Sequence, residues 1–175
     1  MSKLEQKLIE NFGSYKDFPK PGIVFCDILP ILTKPDIFNE LIKNMSNADP
    51  IQESDALIAI DARGFIFGTA IAQFIKKPLI LARKPGKLPG ETLSESYELE
   101  YGTNTLCIQK KSIEPYKSFS IIDDLLATGG TAACVEKMLL KRNKEVKNLS
   151  VVVELPFLKG REKLDCDVQS VVKLD

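Results

Sequence analysis

Apolar and polar positions along this chain recur in two periods, and each change of period marks an element. Leu4 to Asn11 mixes charged residues with Leu and Ile at helical spacing, which predicts a short amphipathic helix. The Pro/Gly-rich segment DFPKPGIVFCDILPIL follows, and about Ile37 to Met45 predicts a second helix. The apolar run ALIAI, leading to Asp61, predicts a buried strand, and Phe65 to Ile75 is apolar at helical spacing. PLILA (Pro78 to Ala82) predicts a second strand. The polar stretch RKPGKLPGETLSESYELEYG then runs on without helical periodicity. Its span, 84–102, is long for a connection in a compact domain, as functional lids and disordered segments are. FSIID predicts a third strand ending at Asp123, Ala132 to Leu140 sets Val135, Met138 and Leu139 on one helical face, and LSVVVEL (Leu149 to Leu155) predicts a fourth strand. Strands alternating with helices predict an α/β fold, a mostly parallel sheet flanked by helices. Ligands of such sheets sit beyond the carboxyl ends of the strands.

Composition acts mainly by exclusion. The 175 residues, 44% hydrophobic and 27% charged, suit one domain, 1–175, with a core of ordinary size. A formal net charge of zero gives no global attraction for nucleic acid or an anionic membrane, so an anionic ligand must be held by local groups. No stretch approaches the ~20 apolar residues of a membrane span, and MSKLEQKLIENF lacks the apolar core of a signal peptide. Cys26, Cys107, Cys134 and Cys166 form no CxxC pair, which points to reduced thiols and a cytoplasmic location. The chain has no histidine. Ser-His and Cys-His nucleophiles and histidine zinc sites are thereby excluded. Chemistry falls to carboxylates, Lys, Arg, Tyr, backbone groups or a hard metal ion.

The sharpest motif is IIDDLLATGGTAA, Ile121 to Ala133. A buried strand runs into two carboxylates, then a small-residue turn, then a helix start. Gly129 and Gly130 permit a tight turn and leave backbone N–H groups uncovered. With Ala127, the hydroxyls of Thr128 and Thr131 and the positive end of the helix, they make a phosphate cradle. No lysine follows the glycines, so this is not a Walker loop, and a sugar monophosphate fits better than a triphosphate. Asp123 and Asp124 can accept hydrogen bonds from vicinal sugar hydroxyls. The same composition also suits any β–loop–α unit with a polar strand end.

IIDDLLATGGT resembles the 5-phosphoribosyl 1-diphosphate (PRPP) signature of the type I phosphoribosyltransferases. DFPKPGIVFCDILPIL, DARGFIFG, RKPGKLPGETLSESYELEYG and VVVELPFLKGREKL narrow the resemblance to the adenine phosphoribosyltransferase family, in its order and along essentially the whole chain. The resemblance implies transfer of the 5-phosphoribosyl group from PRPP to adenine, giving AMP and pyrophosphate, with Mg²⁺ held through PRPP and waters rather than by direct protein ligands. It implies a homodimer, adenine and PRPP as small-molecule partners, and no nucleic-acid or membrane partner.

The resemblance also assigns roles. Adenine would lie between Phe25 and Leu155 and be read by the Val24 carbonyl and the Cys26 N–H. Such a readout leaves 6-oxopurines with mismatched groups, worth roughly 10⁴-fold in discrimination. On sequence alone Phe25 reads equally as a core aromatic. Arg63 would meet the diphosphate, with Asp61 and Ala62 shaping its turn, and Arg83, Lys84, Lys87 and Tyr101 would add to that site; a basic cluster is also ordinary solvated surface. Glu100, in the hood 84–102 that closes over the site, matches the family's general acid/base. Two positions depart from the family: Cys26 stands where Arg or Lys is usual, and Ala62 where Ser is usual. Two other functions stay open on the residues: a phosphoribosyltransferase for a 6-oxopurine, and a non-catalytic regulator that senses PRPP or a nucleotide.

Overall fold

A computed structural model describes residues 1–17, 20–22, 24–98 and 103–174. Its contacts form two compact units, Met1–Asn44 and Met45–Asp175.

In the first unit, helix α1 (Lys3–Ile9) opens on a capping box, in which Ser2 Oγ accepts from Glu5 N and Glu5 Oε2 accepts from Ser2 N, both at 3.1 Å. Each bond satisfies a backbone donor that the first helical turn leaves open. Strands β1 (Gly13–Lys16) and β2 (Val24–Asp27) form an antiparallel ribbon with Tyr15 opposite Phe25 and Ser14 opposite Cys26. Helix α2 (Pro35–Ser46) follows, and its Glu40 accepts from Lys7 of α1 at 2.6 Å.

The second unit is built on five parallel strands. These are β3 (Ala56–Ile60), β4 (Leu79–Ala82), β7 (Ser118–Leu126), β8 (Glu145–Glu154) and β9 (Asp167–Lys173), in the order β4-β3-β7-β8-β9. Every residue of β3 is buried, as expected of a parallel strand covered on both faces. Alternate residues divide between the faces. Ala56, Ile58, Ile60, Ile121 and Val151 pack with Cys134, Val135, Met138 and Leu139 of helix α6 (Gly130–Leu140). On the other face, helix α4 (Gly64–Ile75) lies against β3 at Gly68, where an added Cβ would stand 2.6 Å from that of Ala59. The short helix α3 (Asp49–Glu53) lies on that face too, with Pro50 O accepting from Ser120 Oγ at 3.1 Å. No helix among the described residues is long and apolar enough to cross a membrane.

Two expectations about elements change. The third strand does not stop at Asp123: β7 runs to Leu126, because β8 continues beside it to the pair Leu126–Glu154. The acidic pair therefore lies within the ladder. The polar stretch is not irregular throughout either. Thr92–Glu98 forms strand β5, paired antiparallel with β6 (Thr103–Gln109), which leads into the single turn α5 (Lys110–Ile113). The cause is period two: Leu93, Glu95 and Tyr97 turn inward while Ser94 and Ser96 face out. Glu95 then anchors the hairpin to α6, pairing with Lys137 at 2.7 Å and Lys141 at 2.5 Å, while its carbonyl accepts from the Cys134 thiol at 3.1 Å.

Candidate active site

Three strand ends of the second unit carry the polar groups. From the end of β3 the chain passes through Asp61, Ala62 and Arg63 into α4. Gly64 allows the first turn of α4 to press on β7, for an added Cβ would lie 2.9 Å from both Ile122 O and Asp123 Oδ1. That contact sets Arg63 beside the acidic pair, and its Nε donates to Asp124 Oδ2 at 2.5 Å. The candidate diphosphate ligand and a candidate ribose ligand thus meet directly. Arg63 is 46% exposed and Asp124 9%, so the carboxylate is the fixed member and the guanidinium faces solvent.

Asp123 Oδ1 accepts from the Asp124 N–H at 2.9 Å. Removal from water, then the adjacent Asp124 carboxylate, raise the Asp123 carboxyl well above its ordinary value. A carboxyl pushed toward its neutral form both donates and accepts, which suits hydroxyl partners.

Beyond β7 the chain turns through Ala127, Thr128 and Gly129 into α6. Gly129 has φ +76°, a left-handed conformation that glycine adopts without penalty. It is also where the backbone of another segment comes closest: an added Cβ would stand 2.3 Å from Gly160 O. No side chain caps the helix here, and the hydroxyls of Thr128 and Thr131 hold no hydrogen bond among the described residues. An uncapped helix start flanked by free hydroxyls is a ready anion site. Leu155, at the end of β8, is tied to the same loop by its N–H, which donates to Leu126 O at 2.9 Å.

Arg83, just past β4, is held from three sides. Its Nε donates to Asp61 Oδ2 at 3.2 Å, its guanidinium lies 5.7 Å from the Phe65 ring centroid, and Nη1 donates to Lys87 O at 3.4 Å. Lys84 and Lys87 are exposed and form no ion pair among the described residues. Val24, Phe25 and Cys26 lie on β2 in the first unit. Residues two apart on a strand turn their backbone groups to one edge, so the Val24 carbonyl and the Cys26 N–H share a direction. Phe25 and Cys26 are half-buried, and burial followed by Asp27 raises the Cys26 thiol above its ordinary value. Glu100 and Tyr101 lie outside the described residues.

The strongest polar contact at these strand ends was not anticipated. Arg161 grips Glu154, the last residue of β8, with Nε to Oε1 at 2.5 Å and Nη2 to Oε2 at 2.7 Å. Ser170 Oγ also donates to Glu154 Oε2 at 2.7 Å, and Arg161 Nη1 donates to Val168 O at 2.7 Å. A signal was present in the sequence: a glutamate closing an apolar strand must be paired if it is buried, and Glu154 is 3% exposed.

No family model matches the chain. The adenine phosphoribosyltransferase of Prochlorococcus marinus is 55% identical over 168 residues, covering 96% of this chain and 98% of that protein. That of Mycoplasma mobile is 46% identical, covering 90% and 91%. Among solved structures, the adenine phosphoribosyltransferase of Thermoanaerobacter pseudethanolicus superposes with a TM-score of 0.90 at 41% identity, covering 97% of this chain and 99% of that one. The Saccharomyces cerevisiae enzyme, complexed with an imino-altritol bisphosphate and adenine, gives 0.91 at 35% identity, covering 98% and 99%.

Hydrogen bonds from Arg161, then from Ser170, hold the Glu154 carboxyl below its ordinary value of 4.5. The folded protein therefore prefers the ionised form. The stabilisation is complete above the unfolded value and is lost as pH falls through the folded one. Urea midpoints measured from about pH 6 down to about pH 3 should decline in the wild type, and Glu154→Gln should start lower and decline less. Parallel declines would remove this pair from the acid sensitivity.

Proposed function

The chain belongs to the adenine phosphoribosyltransferase family, and we propose that its site transfers the 5-phosphoribosyl group of PRPP to adenine, giving AMP and pyrophosphate. The supporting observation is a convergence at the carboxyl ends of β7 and β8. An uncapped helix start with free hydroxyls adjoins two carboxylates, one of them already in contact with an arginine. A 5-phosphoribosyl diphosphate presents the complement: phosphate at one end, vicinal hydroxyls in the middle, diphosphate at the other.

In this reading Ala127 to Thr131 hold the 5-phosphate, Asp123 and Asp124 the ribose hydroxyls, and Arg63, Arg83, Lys84, Lys87 and Tyr101 the diphosphate. Phe25 and Leu155 sandwich the base, and the Val24 carbonyl and Cys26 N–H read its 6-amino group and N1. As pyrophosphate leaves C1, positive charge builds on the sugar and negative charge on the diphosphate. Arg63 and its neighbours stabilise the latter. Adenine N9 attacks C1 and loses a proton, which Glu100 takes up in a chain without histidine.

Among the described residues no cluster of three His, Cys, Asp or Glu side chains could hold a metal ion. Asp123 and Asp124 are hard oxygen donors, and they fit Mg²⁺ bound through PRPP oxygens and waters. Bound Mg²⁺ would supply further charge neutralisation at the leaving group. The cellular setting we propose is purine salvage in the cytoplasm. A homodimer is supported by an apolar row on α4, where half-buried Ile66 and Ala70 precede Phe74, which is 49% exposed.

The decisive assay supplies PRPP and Mg²⁺ with adenine, hypoxanthine or guanine separately. AMP and pyrophosphate from adenine alone are expected. Product from a 6-oxopurine would overturn the backbone readout, and PRPP binding without product from any base would favour a regulator. Glu100→Gln should slow turnover by about 10²–10⁴-fold with PRPP affinity kept, and an unchanged rate would remove Glu100 from proton transfer. In sedimentation the wild type should run as a dimer and Phe74→Glu as a monomer; a wild-type monomer would end the dimer proposal.

A further inference from the structure

The phosphate cradle does not hold itself in place. Ala127 and Thr128 carry small side chains and Gly129 none, and no side chain caps α6. What the turn rests on is Gly160. An added Cβ on Gly129 would lie 2.3 Å from Gly160 O, and one on Gly160 would lie 2.3 Å from Ala127 O and 3.0 Å from Gly129 N. Two backbones are thus in contact with no side chain between them. Any shift of Gly160 is passed directly to the cradle.

Gly160 sits in a segment with weak means of its own. It opens the second of two short 3₁₀ turns, Pro156–Leu158 and Gly160–Lys163, which are joined by Lys159 in a left-handed conformation, φ +53°. At its start the apolar side chains face water: Phe157 is 64% exposed and Leu158 38%. The backbone bonds of the two turns are local, and the segment's far end is held by Leu164 against the core and by the Glu136 carboxylate of α6, which accepts from Asp165 N and Cys166 N. The next residue, Arg161, reaches out of the segment. It makes two bonds to Glu154 on β8, one to Val168 O on β9, and a longer one to Ser170 Oγ at 3.5 Å. Glu154 immediately precedes Leu155, whose N–H is bonded to Leu126 at the end of β7. One guanidinium therefore fixes the floor of the cradle to the strand that presents the base-stacking position.

We infer that Arg161 is a positioning residue for the reaction: through its fork on Glu154 it seats Gly160 beneath the Ala127–Gly129 loop and so sets the geometry of the 5-phosphate site. The inference rests on the proposed function for the identity of the ligand. Lysine keeps the charge but cannot reproduce a planar two-bond fork, so Arg161→Lys separates geometry from charge.

The test pairs steady-state kinetics with calorimetric titration of ribose 5-phosphate, both well below each variant's melting temperature. For Arg161→Lys, ribose 5-phosphate affinity and kcat/KM for PRPP should fall on the order of 10²-fold, carried by KM more than by kcat. Gly160→Ala, which leaves the ion pair intact and pushes on Ala127 O, should give the same KM-weighted pattern. A folded Arg161→Lys enzyme with a lower melting temperature and unchanged ribose 5-phosphate affinity would overturn the inference, leaving Arg161 a scaffold residue. Should Arg161→Lys fail to fold, Ser170→Ala removes one partner of Glu154 and should weaken ribose 5-phosphate binding more modestly; unchanged affinity there would likewise overturn it. Titration needs no turnover, so an inactive wild type would fail the proposed function while the affinities still decide Arg161.

Discussion

Strands β7 and β8 are buried along most of their length, and their parallel ladder does not stop at the acidic pair Asp123 and Asp124. Here the pairing reaches Leu126 and Glu154, and the rest of the site depends on that extent. Had β7 ended at Asp123, the acidic pair would ride on a loop. Inside the ladder its backbone is fixed, and the glycine turn must begin three residues later. The same continuation lets the Leu155 N–H bond Leu126 O and brings the chain after β8 back over the turn. The contact of Gly129 with Gly160 follows, and two glycines are required because neither backbone leaves room for a Cβ. In the proposed function the extent of this ladder thus sets where a phosphate, a sugar and a base would be met together.

Much of this was legible in the sequence, and the reasons differ by element. The strands ALIAI and PLILA and the helix from Phe65 are strongly apolar with clear periods, and the structure places them within a residue or so of expectation. The DDLLATGGT turn was legible because its residue types have few other uses in that order. The hairpin β5–β6 was not, since TLSESYE alternates too weakly to stand out, and what holds it is tertiary: Leu93 and Tyr97 pack against the core and Glu95 meets Lys137 and Lys141. Strand β9 escaped for a related reason: DVQSVVK is mostly half-buried, at the edge of the sheet. The extra length of β7 and β8 was hidden because the polar residues Asp123, Asp124 and Glu154 look like strand ends. Partners that the strand pattern does not show, Arg63 far back in the chain for one carboxylate and Arg161 past the next turn for another, accompany them in the ladder.

Those partners also show how a chain with no net charge handles a highly anionic substrate. Three arginines at the strand ends, Arg63, Arg83 and Arg161, are each paired with a carboxylate, but the pairs are not equivalent. Arg161 meets a buried acid through two bonds and has two further contacts, and breaking it would strand a charge, which is expensive. Arg63 meets the buried Asp124 through a single bond, with a guanidinium about as exposed as that of Arg161, 46% against 40%. In the proposed function a diphosphate brings several negative charges within reach of the same guanidinium. It would then draw Arg63 from its single bond, while the sugar hydroxyls arriving with it would take up the lone pairs that Arg63 leaves on Asp124. Before substrate binds, the pair prevents two adjacent carboxylates from facing each other unscreened in a poorly hydrated strand end. Once it binds, each member has a new partner of matching chemistry. The single-bond pair is the one suited to exchange and the forked one is not, which is the division of labour that the proposed function asks for: one arginine to follow the substrate and another to hold the loop it sits on.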